Sequence, residues 1–168
     1  TATFKLDFTV DSLAIDTTSR IDATGRGLLG GGQPGNPSPP NGMTLGFQAI
    51  NGSGSGAGYG GLGGVSGGNT NPLYGDFRNP NDVGSGGGAF SGHQGGNGGG
   101  LVRIVAQTIA LDGTIRANGG AANGIGAGGS GGAARAVAAT RDPPLAHMAK
   151  SVRQTHRRFR NCRGALRS

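Results

Sequence analysis

The stretch between residues 30 and 100 constrains this chain more than any other feature, because it is dominated by Gly, Asn, Ser and Pro. Pro34, Pro37, Pro39 and Pro40 crowd its first third, and runs of glycine fill the rest. Glycine loses the most chain entropy in regular structure and proline removes a helix donor, so no α-helix is expected there. A structureless loop of this length is foreign to a compact domain. The segment therefore reads as a long insertion with its own loop structure, or as disordered chain. Leu45, Phe47 and Ile50, and the run from Tyr74 to Pro80, are expected to anchor it locally. Its glycines would let backbone approach backbone, since no side chain intervenes.

The flanks read as strands. Phe4, Leu6, Phe8 and Val10 alternate with Lys5, Asp7 and Thr9, the period of two that places apolar side chains on one sheet face. Leu13 and Ile15 are expected to continue the alternation, and Ile21 opens a further short segment. Strand character returns at Leu101 to Ala106, Thr108 to Leu111 and Thr114 to Ala117. Asp112-Gly113 and Asn118-Gly119-Gly120 are expected to supply positive φ at tight bends. With no Trp, 6 Phe and 2 Tyr, any core is thin and built from Ile, Leu, Val and Ala.

Short strands with such corners build either a parallel β-helix (β-solenoid) or an antiparallel β-sandwich; a mostly disordered chain is the third reading. An internal repeat favours the solenoid. Ser12-Leu13-Ala14-Ile15-Asp16 and the following Arg20-Ile21-Asp22-Ala23 can be laid on Thr108-Ile109-Ala110-Leu111-Asp112 and Thr114-Ile115-Arg116-Ala117. A repeated strand, corner and strand unit is what stacked coils require. The expected fold is therefore all-β, a β-solenoid fragment over 1–132 with a Gly-rich insertion at 30–100.

Three stretches resemble a known family: Ser12 to Gly27, Leu73 to Gly88 with its Tyr74-Gly75-Asp76-Phe77-Arg78-Asn79-Pro80 motif, and Gly99 through Gly120. Over residues 10–132 they are similar to the glycine-rich β-helical repeats of very large bacterial surface proteins. The resemblance implies extracellular, cell-surface display and an adhesin-like or matrix role, and it brings no catalytic residues.

Electrostatics divide the chain differently. The formal charge of +7 is concentrated at the end: residues 1–130 carry six cations against seven aspartates, whereas 131–168 carry nine cations against one. From Ala133 the composition changes abruptly, and no glycine occurs until Gly164. Residues 133–168 read as a basic tail, or as a non-native segment produced by a frame change or fusion. Within it Leu145, Met148, Val152, Thr155 and Phe159 recur at helical spacing over 145–160, while Arg153, Arg157, Arg158, Arg160 and Arg163 supply positive charge. These arginines are the candidate polyanion-binding residues, for nucleic acid or an anionic membrane surface. A solvated tail is the competing reading.

Catalytic signatures carry little weight in so glycine-rich a chain. Gly128-Gly129-Ser130-Gly131-Gly132 matches a nucleophile elbow, and two segments match a dinucleotide fingerprint, but none lies between a strand and an amphipathic helix. There is no Glu, the aspartates sit mostly at strand ends where they would cap turns, and Asp76 and Asp82 are read as turn caps rather than Ca²⁺ ligands. His93, His147 and His156 lack partners at ligand spacing, and Cys162 is the single cysteine. No cofactor, metal, disulfide or membrane span is expected. The chain is read as a non-enzymatic structural segment, with a polysaccharide-active enzyme as a minor alternative. Its expected partners are flanking repeats of a parent chain or self-stacking copies, and a cell-surface or matrix glycan.

Overall fold

The computed structural model describes residues 5–76 and 78–139. Phe4, Phe77 and the whole of the expected helix at 145–160 lie outside the described residues. In chain order the elements are β1 (Lys5–Ile15), β2 (Arg20–Asp22), β3 (Gly42–Thr44), a short 3₁₀ turn (Leu45–Phe47), β4 (Gln48–Asn51), β5 (Leu101–Leu111), β6 (Thr114–Arg116) and β7 (Ala133–Ala138).

These strands fall into three small sheets. β1, β5 and β7 form a parallel sheet in that order, β2 pairs with β6 in parallel, and β3 pairs with β4 as an antiparallel hairpin. The register reproduces the sequence repeat: Leu13 lies against Ile109, Ile15 against Leu111 and Ile21 against Ile115. Neither expected architecture follows from this pairing. Two strand–corner–strand units and one further strand do not make a β-helix, and the parallel pairing excludes an antiparallel sandwich. The expectation of a β-solenoid with a loop insertion fails because the glycine-rich chain is not peripheral to the strands. Its segments Val83 to Ala89 and Gly98 to Gly100 are buried.

Residues Val83 to Ala89 are all buried, and their hydrogen bonds repeat every third residue. The N–H groups of Gly84 and Gly87 donate to the carbonyls of Gly99 and Gly96 (2.8 and 2.9 Å), and those of Gly86 and Ala89 donate to Met43 and Pro40 (2.9 and 2.8 Å). In turn the carbonyls of Gly84 and Gly87 accept from Leu28 and Gly31, and those of Ser85 and Gly88 accept from Ser130 and Ala127. Successive residues thus address different neighbours. Three residues per turn with no internal hydrogen bonds is the repeat of polyproline II, which glycine adopts freely and which offers donors in three directions. The bundle pairs its buried backbone groups without strand ladders.

Close approach explains why the segments must be glycine. A Cβ on Gly98 would lie 1.9 Å from the Gly84 carbonyl oxygen, and one on Gly31 would lie 2.0 Å from that of Pro40. No side chain fits between such backbones, the constraint that also governs the collagen axis. Buried polar side chains complete the pairing: Asn51 donates from Nδ2 to the Gly86 carbonyl (2.8 Å) and accepts at Oδ1 from the Asn71 N–H (2.5 Å).

The apolar core is thin, as its aromatic content implies. One cluster joins Leu28, Met43, Val83, Leu101 and Ala133; another joins Ala23, Val102 and Ile104, with Phe8, Leu13, Ile21 and Ile115 against it. As the middle strand, β5 sends Leu101 to the first and Val102 and Ile104 to the second.

Two local expectations are corrected. The alternation does not run unbroken to Leu13 and Ile15: Asp11 and Ser12 are both exposed, and this change of parity is what sets Leu13 against the same cluster as Phe8. Gln107 of β5 follows the same corner, donating from Nε2 to Asp11 Oδ1 (2.5 Å). Nor do Gly113, Gly119 or Gly120 have positive φ. Gly113 is required by proximity instead, since a Cβ there would sit 2.3 Å from the Asp16 carbonyl oxygen. Asp16 and Asp22 cap their turns as expected, accepting the N–H groups of Thr18 and Thr24, each at 2.9 Å.

Candidate functional site

The first residues expected to belong to the tail, Ala133 to Ala138, form β7 and lie in register on β5. This pairing creates the candidate site. It brings Arg135 beside Arg103, and Val137 beside Val105, on one face of the sheet. Neighbouring strands stand about 4.8 Å apart, so the two guanidinium groups start from adjacent backbone positions. Asp7 of β1 completes the row, its Oδ1 lying 3.4 Å from Arg103 Nε. Both of those side chains are about half exposed, at 46% and 50%, so the ion pair is solvent-screened and weak. The row carries two positive charges and one negative.

A loop walls this row into a groove of about 260 Å³ lined by Asn79, Asn81, Arg103, Val105, Arg135 and Val137. The loop is held at its base by Tyr74, whose hydroxyl donates to the Val83 carbonyl (2.7 Å) and meets Ser85 Oγ at 2.8 Å. Ser85 Oγ in turn meets Thr44 Oγ1 at 2.8 Å. The ring of Tyr59 packs edge-on against Tyr74 with centroids 5.2 Å apart. Burial pushes the Tyr74 phenol above its ordinary pKa, with the Ser85 hydrogen bond opposing it, and burial likewise raises that of Tyr59. Further along, Asp76 caps its own turn by accepting the Arg78 N–H at 2.8 Å.

At the groove itself Arg135 Nη1 donates to Asn79 Oδ1. The Asn81 Oδ1 is buried without a donor. Arg135 has no carboxylate partner among the described residues. Guanidinium donors above a valine floor, with amide groups on the opposite wall, are suited to holding a planar oxyanion.

The residues singled out from sequence lie elsewhere. Arg153, Arg157, Arg158, Arg160 and Arg163 are outside the described residues, as are His147, His156 and Cys162. Among the described residues no group of three or more His, Cys, Asp or Glu is placed to hold a metal, and no helix is long and apolar enough to cross a membrane. The sequence reading placed Arg135 in the tail and Arg103 within a strand, and singled out neither as a site residue. A signal for both was present: Gly99-Gly100-Leu101-Val102-Arg103-Ile104-Val105-Ala106 matches Gly131-Gly132-Ala133-Ala134-Arg135-Ala136-Val137-Ala138, with Arg, Val and Ala at corresponding places. Comparison with protein-family models, with curated proteins and with solved structures found no match to the chain.

Proposed function

We propose that the chain is a structural, adhesin-like segment of an extracellular bacterial surface or matrix protein, and that it joins further strands at the edges of its parallel sheet. One observation carries this reading. β1 and β7 are the two outer strands of a parallel sheet, and at the same register position they bear opposite charges, Asp7 and Arg135. Unpaired edges are templates for strand addition, and parallel sheets are normally continued or covered. A neighbouring β1 laid on β7 in the existing register would set its Asp7 beside Arg135. Ala134, Ala136 and Ala138, exposed on the other face of β7, would be covered by the side chains that follow. The neighbour is a flanking repeat of a parent chain or a second copy. The glycine bundle suits such a unit because its cohesion lies in backbone hydrogen bonds and needs no disulfide.

Sedimentation of the full chain over a wide concentration range tests the assembly. Concentration-dependent association, weakened by Arg135→Asp, is the expected result; a monomer throughout overturns it. Location is tested by mild proteolysis of intact source cells, which should release peptides from residues 5–139. Their release only after lysis would exclude surface display.

A further inference from the structure

We infer that the groove between the β5–β7 face and the Asn79–Asn81 loop binds the carboxylate of an acidic sugar, such as a hexuronate residue of a surface polysaccharide. The inference rests on the reading of the chain as a surface module only for its choice of ligand. The site itself is built from residues already described. Arg103 and Arg135 project from matched positions on adjacent strands, and their single carboxylate neighbour, Asp7, reaches only Arg103. Arg135 spends one donor on the neutral Asn79 oxygen, and each guanidinium carries five donors in a planar fork. Together they leave enough donors to take both oxygens of a ligand carboxylate. Val105 and Val137 offer an apolar floor of the kind that meets the C–H face of a sugar ring. Asn79 and Asn81 line the facing wall with neutral amide side chains, the kind of group that meets a sugar hydroxyl. Guanidinium donors, an apolar floor and an amide wall side by side fit an acidic sugar better than a bare anion. The location matters for electrostatics, because the body is close to neutral outside the basic tail.

The test titrates the full chain with trigalacturonate and, in parallel, with the neutral maltotriose and with inorganic phosphate, following heat or tryptic protection of the body. Trigalacturonate should bind, and the neutral trisaccharide should not. The R103Q/R135Q double variant should lose at least tenfold in affinity while its thermal unfolding stays unchanged. Asn79→Asp leaves both arginines in place but sets a competing carboxylate beside Arg135, so it should weaken binding severalfold. Replacing Arg153, Arg157, Arg158, Arg160 and Arg163 together by Gln should leave trigalacturonate binding intact, which separates the groove from the tail. No binding by the wild-type chain, equal binding of maltotriose or phosphate, or loss of binding only in the tail variant would each overturn the assignment. The titrations are run at chain concentrations where sedimentation shows a monomer, because a neighbour's Asp7 beside Arg135 would compete as Asn79→Asp does; none of the outcomes depends on where the cell places the chain.

Discussion

Around Gly84 to Ala89 every residue hands its backbone groups to a different neighbour, whereas in the β1–β5–β7 sheet a strand pairs with one described neighbour at the edge or two at the centre and keeps its faces for side chains. Both regions bury paired amides, yet they differ in what a side chain does. In the sheet Val102 and Ile104 are fully buried and supply the apolar contacts that hold the layers. In the bundle a side chain is an obstacle, and cohesion comes from hydrogen bonds and close backbone contact. The comparison teaches that glycine content can signal a packed interior as readily as a loop, provided that buried amides find partners in every direction.

The sharpest way to break the comparison is Gly98→Ala. Its methyl group would meet the Gly84 carbonyl oxygen at 1.9 Å and the carbonyl carbon at 2.2 Å, both backbone atoms that cannot step aside singly. We expect a loss of more than about 4 kcal/mol, read as failure to show a cooperative unfolding transition. A stable, cooperative G98A variant would refute the close-packed bundle. In the sheet, the counterpart is Ile104→Ala, which empties a fully buried site and should cost about 2 to 5 kcal/mol in urea denaturation.

A smaller effect belongs to the boundary between the regions, at Tyr74. Because burial raises its pKa in the folded chain, the stability it contributes is complete below the ordinary phenol value and is lost as pH rises through the folded one. Alkaline titration followed by phenolate absorbance should therefore show late ionisation coinciding with release of the Asn79–Asn81 loop, and Tyr74→Phe should abolish that coupling. Ionisation of Tyr74 at the ordinary value would detach the loop from the bundle. The smallest effect is expected at Gly61, where an added Cβ meets nothing within 4 Å. Gly61→Ala should leave stability unchanged or raise it by about 0.5 kcal/mol through the unfolded chain. The contrast between Gly98 and Gly61 separates glycines required by packing from glycines that are merely tolerated.

Much of the strand framework was legible beforehand. The alternation at Phe8 and Val10 and the repeat shared by Leu13 to Asp22 and Ile109 to Arg116 located the strands and their register, since side-chain period and burial are coupled. The corner at Asp11 and Ser12 escaped although the three-residue step from Val10 to Leu13 announces it, because two polar residues in a row were read as part of one alternating run. The groove escaped for another reason. Arg103 and Arg135 become neighbours only when β7 joins β5, and the abrupt change of composition at Ala133 hid the shared Gly-Gly and Arg-x-Val-Ala pattern that foretells this pairing.

The sequence by itself determined where β1, β2, β5 and β6 form, that Asp16, Asp22 and Asp76 cap their turns and that the apolar core would be thin, but not the strands β3, β4 and β7. The tertiary structure alone decided which glycine segments lie together and which arginines share a face. The physical reason is that apolar periodicity encodes the direction of burial residue by residue, while a run of glycines presents nearly identical amides along its length. Its partners are then selected by the surrounding anchors, Leu28, Met43, Val83 and Leu101 among them, which meet only once the chain has folded.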